Sequence, residues 1–259
     1  MNSAAIQSEA AKPVQADLAS RSSFARVPAA FKLQFTVPSA MIGVPLIVFF
    51  GAWAVAIGIG LWIRHLADGE GEPFYTGASQ ATIWCLLFMA AYSASHTFPF
   101  SMALSYSRRV FVLGAFLAFA AISAGFGALF SVAILLERAT AGFWAESYTF
   151  DLPLMTQNAG VLGAGLMAGA VCLLSMMIGF FWSILYRRVS LAMLWLTALA
   201  VMAALVVIVM VITQNDWWPH VGDWLAVQSS YTFAGWVLLL TLGLTALNYV
   251  VIRRAVPTP

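Results

Sequence analysis

The sequence predicts an all-α, polytopic membrane protein. It has six transmembrane helices, an N-terminal interfacial helix and both termini in the cytoplasm. Three observations lead there. The 259 residues are 62% hydrophobic, with mean hydropathy +0.91. Only 8% are charged, where a soluble domain carries about 25%. Those charges fall in short clusters separated by long charge-free blocks. A chain so poor in charge cannot cover a water-facing surface, which excludes a soluble enzyme, a disordered chain and a nucleic-acid-binding domain.

Residues 1–20 are rich in Ala, Ser, Gln and Glu and read as a flexible tail. Residues 21–37 mix basic and apolar side chains. Phe24, Val27 and Phe31 fall near one helical face, and Arg26 and Lys32 lie off it, the pattern of an interfacial amphipathic segment. Pro28 suits that helix only in its first turn. The apolar stretch that follows begins too late, and runs too long, for a cleaved signal peptide. Residues 38–254 read as the six-helix transmembrane domain, and 255–259 as a C-terminal tail. The charge-free intervals are 33–63, 73–107, 110–136, 152–186, 189–215 and 224–252. Each exceeds the ~20 residues that span a bilayer as a helix. Their apolar cores lie near 41–63, 79–101, 111–136, 160–185, 190–213 and 232–252. Membrane strands would alternate in polarity. The run from Leu205 to Ile212 is instead apolar on every side, and in lipid only a helix satisfies such a backbone.

Charge placement sets the expected orientation. With the N-terminus inside, the inner segments hold Lys12, Arg21, Arg26, Lys32, Arg108, Arg109, Arg187, Arg188, Arg253 and Arg254. The outer ones hold only Arg64 and Arg138. The positive-inside rule selects this arrangement. The acids agree, since Asp68, Glu70, Glu72, Glu137, Glu146, Asp151, Asp216 and Asp223 all fall outside. Trp62, Trp144, Trp217, Trp218 and Trp224 gather at the outer boundary, where amphipathic rings settle. Both inner connections are short. The outer segment 214–231 reads either as short helices dipping into the interface or as an ordinary amphipathic loop.

Cys85 and Cys172 lie in apolar runs and read as buried small hydrophobes. The sequence has no Walker A pattern and no His-Glu-x-x-His motif. It has three histidines, His65, His96 and His220, without a pair at matching depth for a haem. No carboxylate stands at mid-membrane as a proton relay. An enzyme embedded in the membrane is therefore not expected, and no cofactor or metal is expected in this chain.

The first inner connection reads Pro99-Phe-Ser-Met-Ala-Leu-Ser-Tyr-Ser-Arg-Arg-Val-Phe-Val-Leu-Gly114. Arginine pairs anchor most membrane helices. A sharper reading is a short amphipathic element presenting Tyr106, Arg108 and Phe111 to a cytoplasmic partner. The block resembles the loop between helices two and three of ABC-2 type exporter permeases, where a polar residue, Ser-Arg-Arg and an apolar run form the coupling helix. The second connection, Phe181-Trp-Ser-Ile-Leu-Tyr-Arg-Arg-Val-Ser190, resembles the Tyr-x-Arg-Phe-Gly style turn of actinobacterial members. It departs from it by placing Val189-Ser190 where the aromatic and glycine stand. The layout of the whole chain is similar too: an interfacial helix, six spans, two tight inner loops and a longer outer segment before the last span.

The resemblance implies the membrane-spanning permease of an ATP-binding cassette exporter in a bacterial plasma membrane. ATP and Mg would sit in a separate cytoplasmic ATPase subunit, and a second permease subunit, the same chain or a related one, would lie alongside. ATPase coupling would fall to Ser105, Tyr106, Ser107, Arg108, Arg109, Phe111, Arg187 and Arg188. Ser93 and Thr97 share a helical face with His96 beside them, and they either line a substrate path or bond a neighbouring backbone. Gly165-Leu-Met-Ala-Gly169, and Ser123 with Gly127, are small-residue steps that serve close packing within the chain or a dimer seam. The competing readings are a non-transporting helical scaffold subunit and a membrane redox subunit.

Overall fold

The structure, a computed structural model, describes residues 25–36, 39–66, 73–156 and 158–253. The expected tails 1–20 and 255–259 lie outside them. The first helix, α1 (Val27–Leu33), places Pro28 in its first turn, where the missing N–H costs no helical bond. A π turn (Ser39–Gly43) leads into α2 (Val44–Leu66). After it come α3 (Ser79–Tyr92), a second π turn (Ser93–Thr97) and α4 (Phe98–Ala103). The long helices α5 (Arg108–Ala139), α6 (Gly160–Arg188) and α7 (Leu191–Gln214) follow. The short α8 (Trp218–Val227) and α9 (Ser230–Arg253) complete the described chain. The segment 214–231 thus contains a helix, and none of α8 is buried.

Five helical runs are long and apolar enough to cross a membrane: Ser39–Leu66, Arg108–Ala139, Gly160–Arg188, Leu191–Gln214 and Ser230–Arg253. The span expected near 79–101 is not among them. Its residues are helical from 79 to 103, but Ser93, Ser95, His96 and Thr97 dilute the apolar run.

Helix α6 is the centre of the bundle, packed against α3, α5 and α9. Its crossing with α5 is built from the two small-residue steps. A methyl group on Gly127 would meet the Gly165 carbonyl oxygen at 2.7 Å, and one on Gly169 would meet that of Ser123 at 3.1 Å. The steps therefore face each other within one chain, and the two backbones touch where a side chain would separate them. On α3, the Leu87 carbonyl oxygen comes closer still to where a methyl group on Gly179 of α6 would stand. Phe111, Phe119 and Phe180 fill one end of the core, and Phe49, Trp53, Phe130 and Phe150 the other. Cys172 is fully buried and Cys85 half-buried. Among the five long apolar helices α7 stands apart, because it has no buried residue.

The end of the bundle that carries the carboxylates is closed by a cap that the helix-only reading did not contain. Two-residue strands β1 (Phe74–Tyr75) and β2 (Ser147–Tyr148) pair in parallel, with Phe74 opposite Ser147. The Thr76 and Thr149 hydroxyls meet at 2.8 Å, and Tyr75 stacks on Tyr148. Glu137, fully buried at the end of α5, holds the cap down. Its Oε1 accepts from the Trp53 indole at 3.1 Å and from Thr149 N at 3.0 Å, and its Oε2 from Phe150 N at 3.0 Å and Asp151 N at 2.9 Å. Asp151 also binds Arg138 through two bonds of 2.7 and 2.9 Å, and Arg64 pairs with Glu146 at 3.0 Å. Between α5 and β2 the backbone runs left-handed through Ala141 (φ 48°), Gly142 (φ 64°), Phe143 (φ 57°) and Trp144 (φ 62°). Only glycine adopts that conformation without strain.

Candidate functional site

The opposite end of the bundle gathers Arg108, Arg109, Arg187 and Arg188 and the polar break in the second long helical run, residues 79 to 103 from α3 through α4, called helix two below. The break has a covalent cause. Pro99 carries no N–H, so the Ser95 carbonyl four residues earlier loses its helical donor, and the ring crowds that carbonyl. The chain widens into the π turn Ser93–Thr97. Turns of this kind recur at functional sites. The orphaned carbonyl is then taken from another helix, because Arg187 Nη2 of α6 donates to Ser95 O. One proline and one arginine thus join the second connection to the break.

A cavity of about 150 Å³ opens beside this turn. Leu33, Gln34 and Thr36 line it from the N-terminal segment, Ala40 and Met41 from the first π turn, and Tyr92, Ser93, His96, Thr97 and Phe100 from helix two. Ser93 is fully buried and donates to Gln34 Oε1. Gln34 is itself 3% exposed, and among the described residues its Nε2 has no partner. The His96 ring lies 4.2 Å from that of Tyr92. The three residues expected along a substrate path therefore do line one cavity. Gln34, which the sequence reading passed over, contributes a buried donor to it. Its only sequence signal is an amide placed where the interfacial segment meets the first apolar run.

Helix α1 sits against this end because α5 leaves room for it. Ala30 is fully buried, and a methyl group on Gly114 would meet its Cβ at 2.6 Å and Phe31 N at 2.9 Å.

The two connections share one design. Ser107 caps α5 and Ser190 caps α7, each extended and each accepting from the amide three residues on, at 3.4 Å. A serine oxygen there satisfies one of the unbonded donors of the first turn. Arg187 and Arg188 end α6, where the helix dipole favours cations. Arg108 and Arg109 open α5, where it does not. Arg108 resolves the conflict by crossing to the negative end of α9, donating to Ile252 O at 3.1 Å and Arg253 O at 2.6 Å. Arg109 Nε donates to the Tyr249 hydroxyl at 2.5 Å, and its guanidinium lies 5.8 Å from that ring.

The expected coupling residues thus divide. Ser105, Ser107, Arg109 and Arg188 are exposed, whereas Tyr106, Arg108 and Arg187 are half-buried. Ser105 holds a left-handed turn at φ 58°. Phe111, expected to face a partner, is fully buried between Phe98 at 5.4 Å and Phe180 at 6.0 Å. The reason is helical spacing. Four residues past the cap, it shares the face of Ala115 and Phe119, which is turned to the core. Among the described residues, no three His, Cys, Asp or Glu side chains come together as metal ligands.

The proline–arginine arrangement makes a quantitative prediction. Arg187→Ala should cost about 1–3 kcal/mol, because it strands a partly buried carbonyl. In a Pro99→Ala background, where a backbone N–H returns at position 99, the same change should cost less than half as much. Thermal unfolding of the four proteins in detergent closes the cycle. Equal costs in both backgrounds would show that Arg187 does not answer for the missing donor.

In comparisons with family models, curated proteins and solved structures, nothing matches this chain.

Proposed function

We propose that the chain is the membrane-spanning permease subunit of an ATP-binding cassette exporter, driven by a separate ATPase subunit at its arginine-rich end. The observation that carries the reading is the linkage of the two connections. Arg187 ties the second connection to the break in helix two, and Arg108 ties the first to the carbonyl end of the last helix. A displacement applied at either connection would be passed to a helix that lines the polar cavity or closes the bundle. The exposed side chains of Leu104, Ser105, Tyr186 and Arg188 form the surface such a partner would press on.

On this reading helix two is the sixth span, both termini are cytoplasmic, and the membrane is a bacterial plasma membrane. ATP and Mg belong to the partner. Gln34, Ser93, His96 and Thr97 lie on the substrate path. A second permease subunit lies against α7, which buries nothing within one chain. That same bare helix is what favours the competing reading, a non-transporting scaffold for a larger membrane complex.

Crosslinking separates the two. A photoreactive side chain at Ser105, in cells making the chain from its native locus, should capture a nucleotide-binding subunit. One at Trp144, at the other end, should not. Capture of no nucleotide-binding subunit at Ser105 or Arg188 would favour the scaffold.

A further inference from the structure

A groove of about 490 Å³ runs between α5 and α9, and its two ends differ in chemistry. Val112 and Phe116 line it from α5 and Leu242 and Ala246 from α9, while Arg109 and Tyr249 stand together at one end. The lining positions run from Arg109 to Phe116 and from Leu242 to Tyr249, so the groove extends about 10 Å and its apolar part about 6 Å. Arg109 spends its Nε on Tyr249, and among the described residues its two terminal nitrogens have no bonded partner. Arg108 and Arg253 lie at the same end. The carboxylates Glu137, Glu146 and Asp151 are at the other end of α5. A cation with free donors, at the mouth of an apolar channel about one helical turn long and remote from any of these acids, complements an amphiphile with an anionic head.

We propose that this groove binds an anionic phospholipid, with one acyl chain along α5 and α9 and the phosphate on the Arg109 guanidinium. The geometry suits a phosphate in particular. A guanidinium offers paired N–H groups in a plane that match two oxygens of one phosphate. The Tyr249 bond to Nε fixes that plane, so little side-chain freedom remains to be lost on binding. A zwitterionic lipid would fill the same channel with its chain, but its choline would stand beside Arg109, Arg108 and Arg253. Selection between lipids therefore rests on charge, and retention of any lipid rests on the shape of the groove. This inference does not depend on the exporter reading.

Native mass spectrometry of the full chain in mild detergent, with added phosphatidylglycerol or phosphatidylcholine, tests it. The wild-type chain should retain phosphatidylglycerol in preference. Arg109→Gln should weaken that retention about tenfold, the scale of one charge-assisted bond. Arg188→Gln, which removes an exposed arginine outside the groove, should leave it unchanged. Ala246→Trp should fill the channel and lower retention of both lipids. It breaks no hydrogen bond of the fold, so it carries the test alone if Arg109→Gln fails to fold. Equal retention of the two lipids by the wild type would mean annular lipid only and would overturn the proposal. So would wild-type retention by Arg109→Gln or by Ala246→Trp.

Discussion

Glu137→Ala should destabilise the protein by about 3 kcal/mol and release the cap at the carboxylate-rich end. Four donors converge on the two oxygens of this side chain, and three of them are backbone N–H groups of consecutive residues, 149 to 151. Removing the carboxylate leaves all four without a partner in a site closed to water. No neighbouring side chain can replace it, since Asp151 is already engaged by Arg138. Glu137→Gln should cost somewhat less, because one oxygen remains, but the new NH₂ would point at two donors. The order expected in thermal unfolding is wild type, then Gln, then Ala. Hydrogen exchange at Thr149, Phe150 and Asp151 should accelerate in the same order. Protection at those three amides that is unchanged in Glu137→Ala would mean that the cap is held by its strands and aromatic rings instead.

The second large effect is expected at the glycine crossing. Gly127→Val should cost about 3 kcal/mol, because the first added carbon already meets backbone of α6 rather than a side chain that could turn aside. The cost arises in packing, since membrane helices associate through close van der Waals contact and not through a hydrophobic drive. Gly125 is the internal control. It lies two residues earlier on the same helix with nothing within 4 Å of its missing Cβ. Gly125→Ala should therefore be neutral or stabilise by about 1 kcal/mol through helix propensity. Similar melting temperatures for Gly127→Val and Gly125→Ala would refute the close crossing.

How much of this was legible in the sequence depended on where the information resides. Five long helices were legible because their determinant, a run of apolar side chains without charge, is local. The small-residue steps at Ser123–Gly127 and Gly165–Gly169 were visible too, and their partnership with each other became visible once two helices were brought together. Helix two was harder. Its polar stretch and Pro99 are plain in the sequence, but the consequence of Pro99 is a carbonyl, and its new partner Arg187 lies 92 positions away. Phe111 reads as a surface residue because it comes just after two arginines, whereas its facing is set by the cap at Ser107 and turns it to the core. Glu137 looked like one more outer-loop acid. The groups that bury it are main-chain amides, which leave no mark in the sequence. Gln34 was hidden for a similar reason, because its depth comes from the packing of α1 on Gly114.

The Arg187–Ser95 and Arg108–Ile252 bonds place both connections in contact with distant helices, and the function proposed here needs an engine that acts on them from outside the chain. The most direct test is purification of the tagged chain from its native membrane, followed by assay of ATP hydrolysis and subunit composition. A stoichiometric nucleotide-binding subunit, with turnover that disappears when that subunit is stripped away, is the predicted result. A chain that purifies without such a subunit, or that shows turnover of its own, would contradict it.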